Sequence, residues 1–219
     1  KPSLVRECEI FAIPGGFTYG DDLGAGCILA QEVAHFLGGE LAALRAGGGT
    51  LLGICNGFQT LLKAGLLPGV EGMQATLTWN LSHRFECRWT RLRVESGLAP
   101  LLPEGALLPA PAAHAEGRLV FGASGDARAL LEQGLVAFRY ADAEGKPTPR
   151  YPDCPNGSEE GIAGLVSRDR RVVGLMPHPE RNLSAESLPD RGRGAWGRGG
   201  EGLLFFRALL DPYRASVAS

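Results

Sequence analysis

Gly53-Ile54-Cys55-Asn56-Gly57 sets a thiol between glycines, where an apolar run gives way to helical spacing. This is the G-x-S-x-G nucleophile elbow with cysteine in the place of serine. On so sharp a turn, the close approach of backbone and helix leaves room only for glycine beside the nucleophile. The helix that follows offers free N–H groups and a positive dipole end, which favour thiolate over thiol. The N–H of Asn56 can then help to hold an oxyanion. A buried, inert thiol at an ordinary β–α junction fits the same pentapeptide.

Met176-Pro177-His178-Pro179-Glu180 offers the partners that such a thiol needs. Proline drives the residue before it out of helix, so Met176 and His178 are expected to be extended. Residues two apart in an extended segment share a side, which sets His178 beside Glu180. That suits a general base oriented by a carboxylate, although a proline-stiffened turn with a solvated His and Glu has the same sequence. Ile13-Pro14-Gly15-Gly16-Phe17 is a third candidate. Its glycines either turn backbone N–H groups toward a ligand or simply end a strand. Together the segments fill the roles of nucleophile, base and orienting acid.

The elements that must position these residues alternate. Residues 9–13 and 50–54 read as short buried strands, and the apolar spacing predicts helices over 27–46 and from Phe58 to Leu66. Further strands are expected at 91–95, 136–140, 162–167 and 172–176. Residues 100–111 read as a loop or a short excursion, 181–202 as a long mobile surface loop that a partner could order, and 203–210 as a closing helix. Strand–helix alternation argues for an α/β fold, a single domain over residues 1–219 with a mostly parallel sheet.

With 219 residues the chain has enough length for one sizeable core. A hydrophobic share of 44%, a charged share of 21% and a net charge of −2 suit a soluble protein and point to no nucleic acid or anionic membrane. No apolar stretch is expected to approach the ~20 residues of a membrane span. Five scattered cysteines without a C-x-x-C pair point to a reducing cytoplasm rather than a disulfide framework.

The resemblance that these residues carry is to the class I glutamine amidotransferases. It rests on Pro14-Gly15-Gly16-Phe17-Thr18-Tyr19-Gly20-Asp21, Gly53-Ile54-Cys55-Asn56-Gly57-Phe58-Gln59 and Met176-Pro177-His178-Pro179-Glu180-Arg181. More narrowly, the chain resembles the glutaminases of phosphoribosylformylglycinamidine synthases, through residues 80–88, Ala113-His114-Ala115-Glu116-Gly117, Phe138-Arg139-Tyr140 and Pro155-Asn156-Gly157-Ser158. The matches run in family order from about residue 10 to 207. The resemblance implies a three-layer, flavodoxin-like domain with Cys55 as nucleophile, His178 as acid and base, and Glu180 as its partner. It implies oxyanion donors at Gly16 and Asn56, and contacts to a glutamine substrate from Gln59, Asn80, Ser82, Arg84 and Phe85. It also implies a synthetase partner that holds ATP and Mg²⁺, an assembly that can include a small third subunit, and no cofactor on this chain.

The family opens with a β-α-β stretch that has no counterpart here, so N-terminal strands are expected to be missing and residues 9–13 to form a sheet edge. Ala115 stands where the family more often has glycine, and Cys154 where it has asparagine. His83 and Cys87, four apart, could share a helix face as zinc ligands, but no further ligands have suitable spacing. Two other functions fit: a different amidotransferase or γ-glutamyl hydrolase with the same triad, and a non-catalytic relative of the fold.

Overall fold

The computed structural model describes residues 1–19, 24–99 and 101–217, with backbone alone for 214–217. Gly20 and Asp21 of the first motif lie outside the described residues. Among the described residues nine strands form two sheets. The larger takes β1 (Ile10–Ile13), β2 (Thr50–Ile54), β4 (Glu86–Val94), β5 (Leu107–His114), β7 (Val136–Ala141), β8 (Ile162–Val166) and β9 (Val172–Leu175). Their order is β1-β2-β9-β8-β7-β4-β5, and β3 (Ala75–Thr78) and β6 (Arg118–Phe121) pair separately. The β1–β2 and β2–β9 ladders are parallel and the others antiparallel. Only β4 and β8 therefore run against the common direction, so the sheet is mostly parallel in strand direction. β1 lies at one edge, where the flavodoxin-like order puts it.

The middle strands are apolar without alternation. Every residue of β2, β8 and β9 is buried, as expected of strands covered on both faces. Alternation along β2 fixes what covers each face. Gly53 meets Leu61 of helix α3 (Asn56–Lys63), whereas Thr50 hydrogen-bonds Tyr213 of helix α5 (Glu201–Val217) at 2.7 Å. Residues of opposite parity face opposite sides, so α3, the sheet and α5 are three successive layers. Phe205 of α5 stacks edge-on against Phe138, with ring centroids 5.7 Å apart.

Helices α1 (Cys27–Glu32) and α2 (Gly38–Ala46) run on through a π-helical segment at Val33–Leu37. Residues 27–46 are, by length and composition, long and apolar enough to cross a membrane, which corrects the expectation that no stretch approaches that length. Here Ala30, Val33, Leu41 and Leu44 belong to the core. Helix α4 (Asp126–Glu132) follows β6.

Two other expectations change. Residues 107–111, read as part of a loop or short excursion, belong to β5; its Pro109 and Pro111 are residues that a central strand excludes and an edge strand accepts. Residues 181–202 are tied down rather than loose. The Asp190 carboxylate accepts the N–H groups of Gly192, Ala195 and Trp196, Glu201 accepts those of Arg198 and Gly199, and Leu188 is buried. His83 lies in a turn and Cys87 in β4, so no helix face joins them. No three His, Cys, Asp or Glu side chains cluster as metal ligands among the described residues.

Candidate active site

Cys55 joins β2 to α3 at φ 52° and ψ −107°. A non-glycine residue at positive φ stores strain and persists only where its surroundings hold it. Here its N–H bonds Leu175 O at 2.8 Å and its carbonyl receives Gln59 N–H at 3.1 Å. Gly57 explains the glycine after the thiol, since a Cβ there would stand 1.9 Å from the carbonyl oxygen of Ile13. Helix α3 can lie so close to β1 only without that carbon.

His178 follows β9 and is buried. Its Nδ1 lies 2.6 Å from Glu180 Oε1, which leaves Nε2 for Cys55, the ring and the thiol's Cβ both standing close against Gly15. Burial opposes a charged ring, but the hydrogen bonds and charges of Cys55 and Glu180 outweigh it and raise the His178 pKa to about 9. The pair is not side by side along an extended segment, as the proline argument had it. His178 starts a 3-10 turn, Pro179–Arg181, and the tightness of that turn brings the carboxylate back to the ring.

The outer edge of β5 aligns this turn with the thiol. Residues of one parity turn their carbonyls outward. That of Pro109 accepts Asn182 Nδ2 at 2.8 Å, that of Pro111 accepts the His178 N–H at 2.8 Å, and that of Ala113 lies 3.9 Å from Cys55 Sγ. Asn182 is fully buried and also bonds Glu201 Oε2 and the N–H of Gly200, both at 3.0 Å. From the other side the Pro14–Phe17 loop closes in. A Cβ on Gly15 would stand 2.7 Å from His178 Cε1 and 3.2 Å from Cys55 Cβ.

A cavity of about 20 Å³ opens beside the thiol, lined by Gly16, Phe17, Ala25, Cys55, Gln59 and residues 113–116. That is room for one water-sized group. A larger cavity, about 930 Å³, lies between Lys63, Pro68, Met73 and Phe121 and holds none of the predicted site residues; chemistry, not size, picks out the smaller one.

The structure therefore brings together Cys55, His178, Glu180, Gly16 and Gln59. Asn56 opens α3 behind the thiol, with its side-chain amide on the Gly16 carbonyl at 3.0 Å. The 80–85 segment stands further back. The Asn80 side chain is spent on the carbonyls of Arg84 and His114, the N–H of Gly117 and the His114 ring. Ser82 lines a different cavity, with Leu81 and Tyr151, and the Arg84 side chain is exposed. Neither Ser82 nor Arg84 lines the cavity beside the thiol. Phe85 reaches its rim indirectly, with its ring 6.4 Å from that of Phe17. Motif reading assigned no role to His114 and Glu116, which do line the cavity. Their signal was present as two chemically able residues within a matched segment.

Residues 2–211 match the family described as the CobB/CobQ-like glutamine amidotransferase domain. The chain belongs to this family. Among relatives of this amidotransferase, the phosphoribosylformylglycinamidine synthase subunit PurQ of Dehalococcoides mccartyi is 42% identical over 209 residues, covering 94% of this chain and 80% of that one. The subunit of the same name from Salinibacter ruber is 41% identical over 220 residues, covering 96% and 82%. The solved structure of PurLQS from Thermotoga maritima is similar at a TM-score of 0.67 and 31% identity, covering 94% of this chain and 80% of that one.

Proposed function

We propose that this amidotransferase is the glutaminase component of phosphoribosylformylglycinamidine synthase in de novo purine biosynthesis, working in the cytoplasm. The observation that carries the chemistry is one line of contact, Glu180 to His178 to a thiol at a positive-φ elbow. The Cys55 thiolate adds to the side-chain amide carbon of glutamine, and the N–H groups of Gly16 and Asn56 hold the oxyanion. The C–N bond breaks as His178, charged at neutral pH, passes its proton to the departing ammonia. Neutral His178 then takes a proton from water, whose hydroxide attacks the thioester. The C–S bond breaks, releasing glutamate and restoring the thiolate–imidazolium pair. Glu180 holds the ring and stabilises its charge throughout.

The relatives' name, a synthase subunit, supports a synthetase partner for the ammonia. That partner would bind the ATP and Mg²⁺ and convert formylglycinamide ribonucleotide to the amidine, with a small third subunit in the assembly. The test is glutamine hydrolysis by wild type and Cys55→Ser, alone and with the synthetase and its nucleotides, beside peptide mapping after reaction with a glutamine-like electrophile. Expected are label on Cys55, turnover lost in Cys55→Ser and a rate raised by the partner. Label on Cys87 or Cys154, or turnover that survives the substitution, overturns the chemistry; a rate indifferent to the synthetase overturns the partnership.

A further inference from the structure

The peptide between Gly15 and Gly16, whose N–H is to hold the oxyanion, has two fixed ends. On one side Gly15 is wedged into the site, where a Cβ would stand 2.7 Å from His178 Cε1 and 3.2 Å from Cys55 Cβ. On the other, the Gly16 carbonyl receives Asn56 Nδ2 at 3.0 Å. Between the two lies Gly16 itself, at φ 146°. A Cβ built on Gly16 meets no described atom within 4 Å, so glycine is required here for its backbone angle and not for space. A glycine turns freely unless something holds it, and the direction of its N–H turns with it.

Asn56 is 1% exposed and opens α3 directly after the nucleophile. Its amide sits only one way round, because a carbonyl such as that of Gly16 accepts and never donates. Nδ2 therefore faces Gly16, and Oδ1 is left buried without a partner among the described residues. A buried amide oxygen without a donor costs stability. An apolar side chain at the same position would leave no such group, so core packing does not account for an amide there. The bond to Gly16 does, and it ends on the loop that closes over the thiol.

We propose that the Asn56 side chain is a positioning residue, which latches the Gly16 carbonyl and thereby aims the Gly16 N–H at the oxyanion of the tetrahedral intermediate. The proposal rests on the glutaminase reading for its substrate but not for its chemistry, because any acyl transfer to Cys55 forms such an oxyanion. A side-chain substitution leaves the backbone N–H of Asn56 in place, so the latch and the second donor are separable.

The experiment sets two reactions of Cys55 against each other in wild type, Asn56→Ala, Gly16→Ala and the double variant. In acylation by p-nitrophenyl acetate the thiolate adds to the ester carbon, an oxyanion forms, and p-nitrophenolate leaves. In alkylation by iodoacetamide the thiolate displaces iodide from carbon and no oxyanion forms. Removing one oxyanion donor costs about 10²–10³-fold in rate, so turning one aside should cost at least about ten-fold. Asn56→Ala should lower acylation by that factor while alkylation stays within about two-fold of wild type. Glutamine turnover should fall likewise in kcat, with little change in KM. Equal losses in both reactions, or none in either, overturn the proposal. Gly16→Ala points its new carbon into open space, so it supplies a test should Asn56→Ala fail to fold. It should show the same selective loss, and acylation at the wild-type rate overturns the proposal. Because Asn56 acts through Gly16, the double variant should lose no more than the worse single one; losses that multiply overturn the proposal. Selective loss of acylation in a protein whose wild type hydrolyses no glutamine would count against the glutaminase reading alone.

Discussion

Asn182 holds the turn that carries His178 and Glu180, and its removal has a calculable cost. Asn182→Ala deletes its bonds to the Pro109 carbonyl, the Gly200 N–H and the Glu201 carboxylate. At about 1 kcal/mol for each neutral bond and about 1.5–3 kcal/mol for the charged one, the loss is about 3.5–5 kcal/mol. For a domain of this size that lowers Tm by roughly 7–20 °C. Asn182→Asp should be worse near neutrality, because it sets a carboxylate against the Pro109 carbonyl and the Glu201 carboxylate. Burial and the like charge raise the pKa of the introduced carboxyl in the folded state. Its extra penalty is therefore absent below the unfolded value of about 4 and grows as pH rises above it, while the alanine variant shows no such slope. In both variants kcat should fall by more than about ten-fold with little change in KM, since small displacements of a catalytic group are costly. Thermal melts from pH 4 to 8 and steady-state hydrolysis decide the matter. A lower Tm with kcat intact would show that Asn182 braces the loop without setting the ring, and parallel pH profiles for the two variants would refute the burial of this contact.

Three further outcomes follow from the site. Because the His178 pKa is raised, stability from its charged form should be complete below about pH 6.5 and be lost as pH rises through about 9; urea unfolding of wild type and Cys55→Ser across that range should show a smaller slope in the variant, and identical slopes would contradict the thiol's part in the shift. Glu180→Gln should slow turnover while leaving the thermal melt and Cys55 labelling nearly unchanged, and full activity would remove Glu180 from the mechanism. Gly57→Ala drives a carbon into backbone rather than into a movable side chain, so it should cost about 3 kcal/mol or more; a urea midpoint equal to wild type would show that α3 and β1 are not so close.

What the sequence disclosed was mostly local. β1, β2, β8 and β9 were legible because buried strands are runs of apolar residues between glycines and prolines, and the helical stretch 27–46 because its spacing persists for several turns. β5 was hidden by prolines whose tolerance depends on having no neighbour on one side, a fact of the sheet and not of the segment. The short strands β3 and β6 and helix α4 offered too few turns or alternations to stand out. At the site, Cys55, His178 and Glu180 were readable from motifs with a mechanism. His114 and Glu116 take their character from what surrounds them, a buried amide on the His114 ring and the Ala25 N–H on the Glu116 carboxylate. Asn80 illustrates the converse: a residue in a matched motif whose side chain is used up in bracing the 114–117 segment.

The prolines of β5 have one more effect. Strand addition to a sheet edge needs alternating donors and acceptors, and at Pro109 and Pro111 this edge has carbonyls alone, already occupied by Asn182 and His178. No incoming strand can complete a ladder there. A fibril of native sheets needs an open edge on both sides of every copy, and the β5 side supplies none.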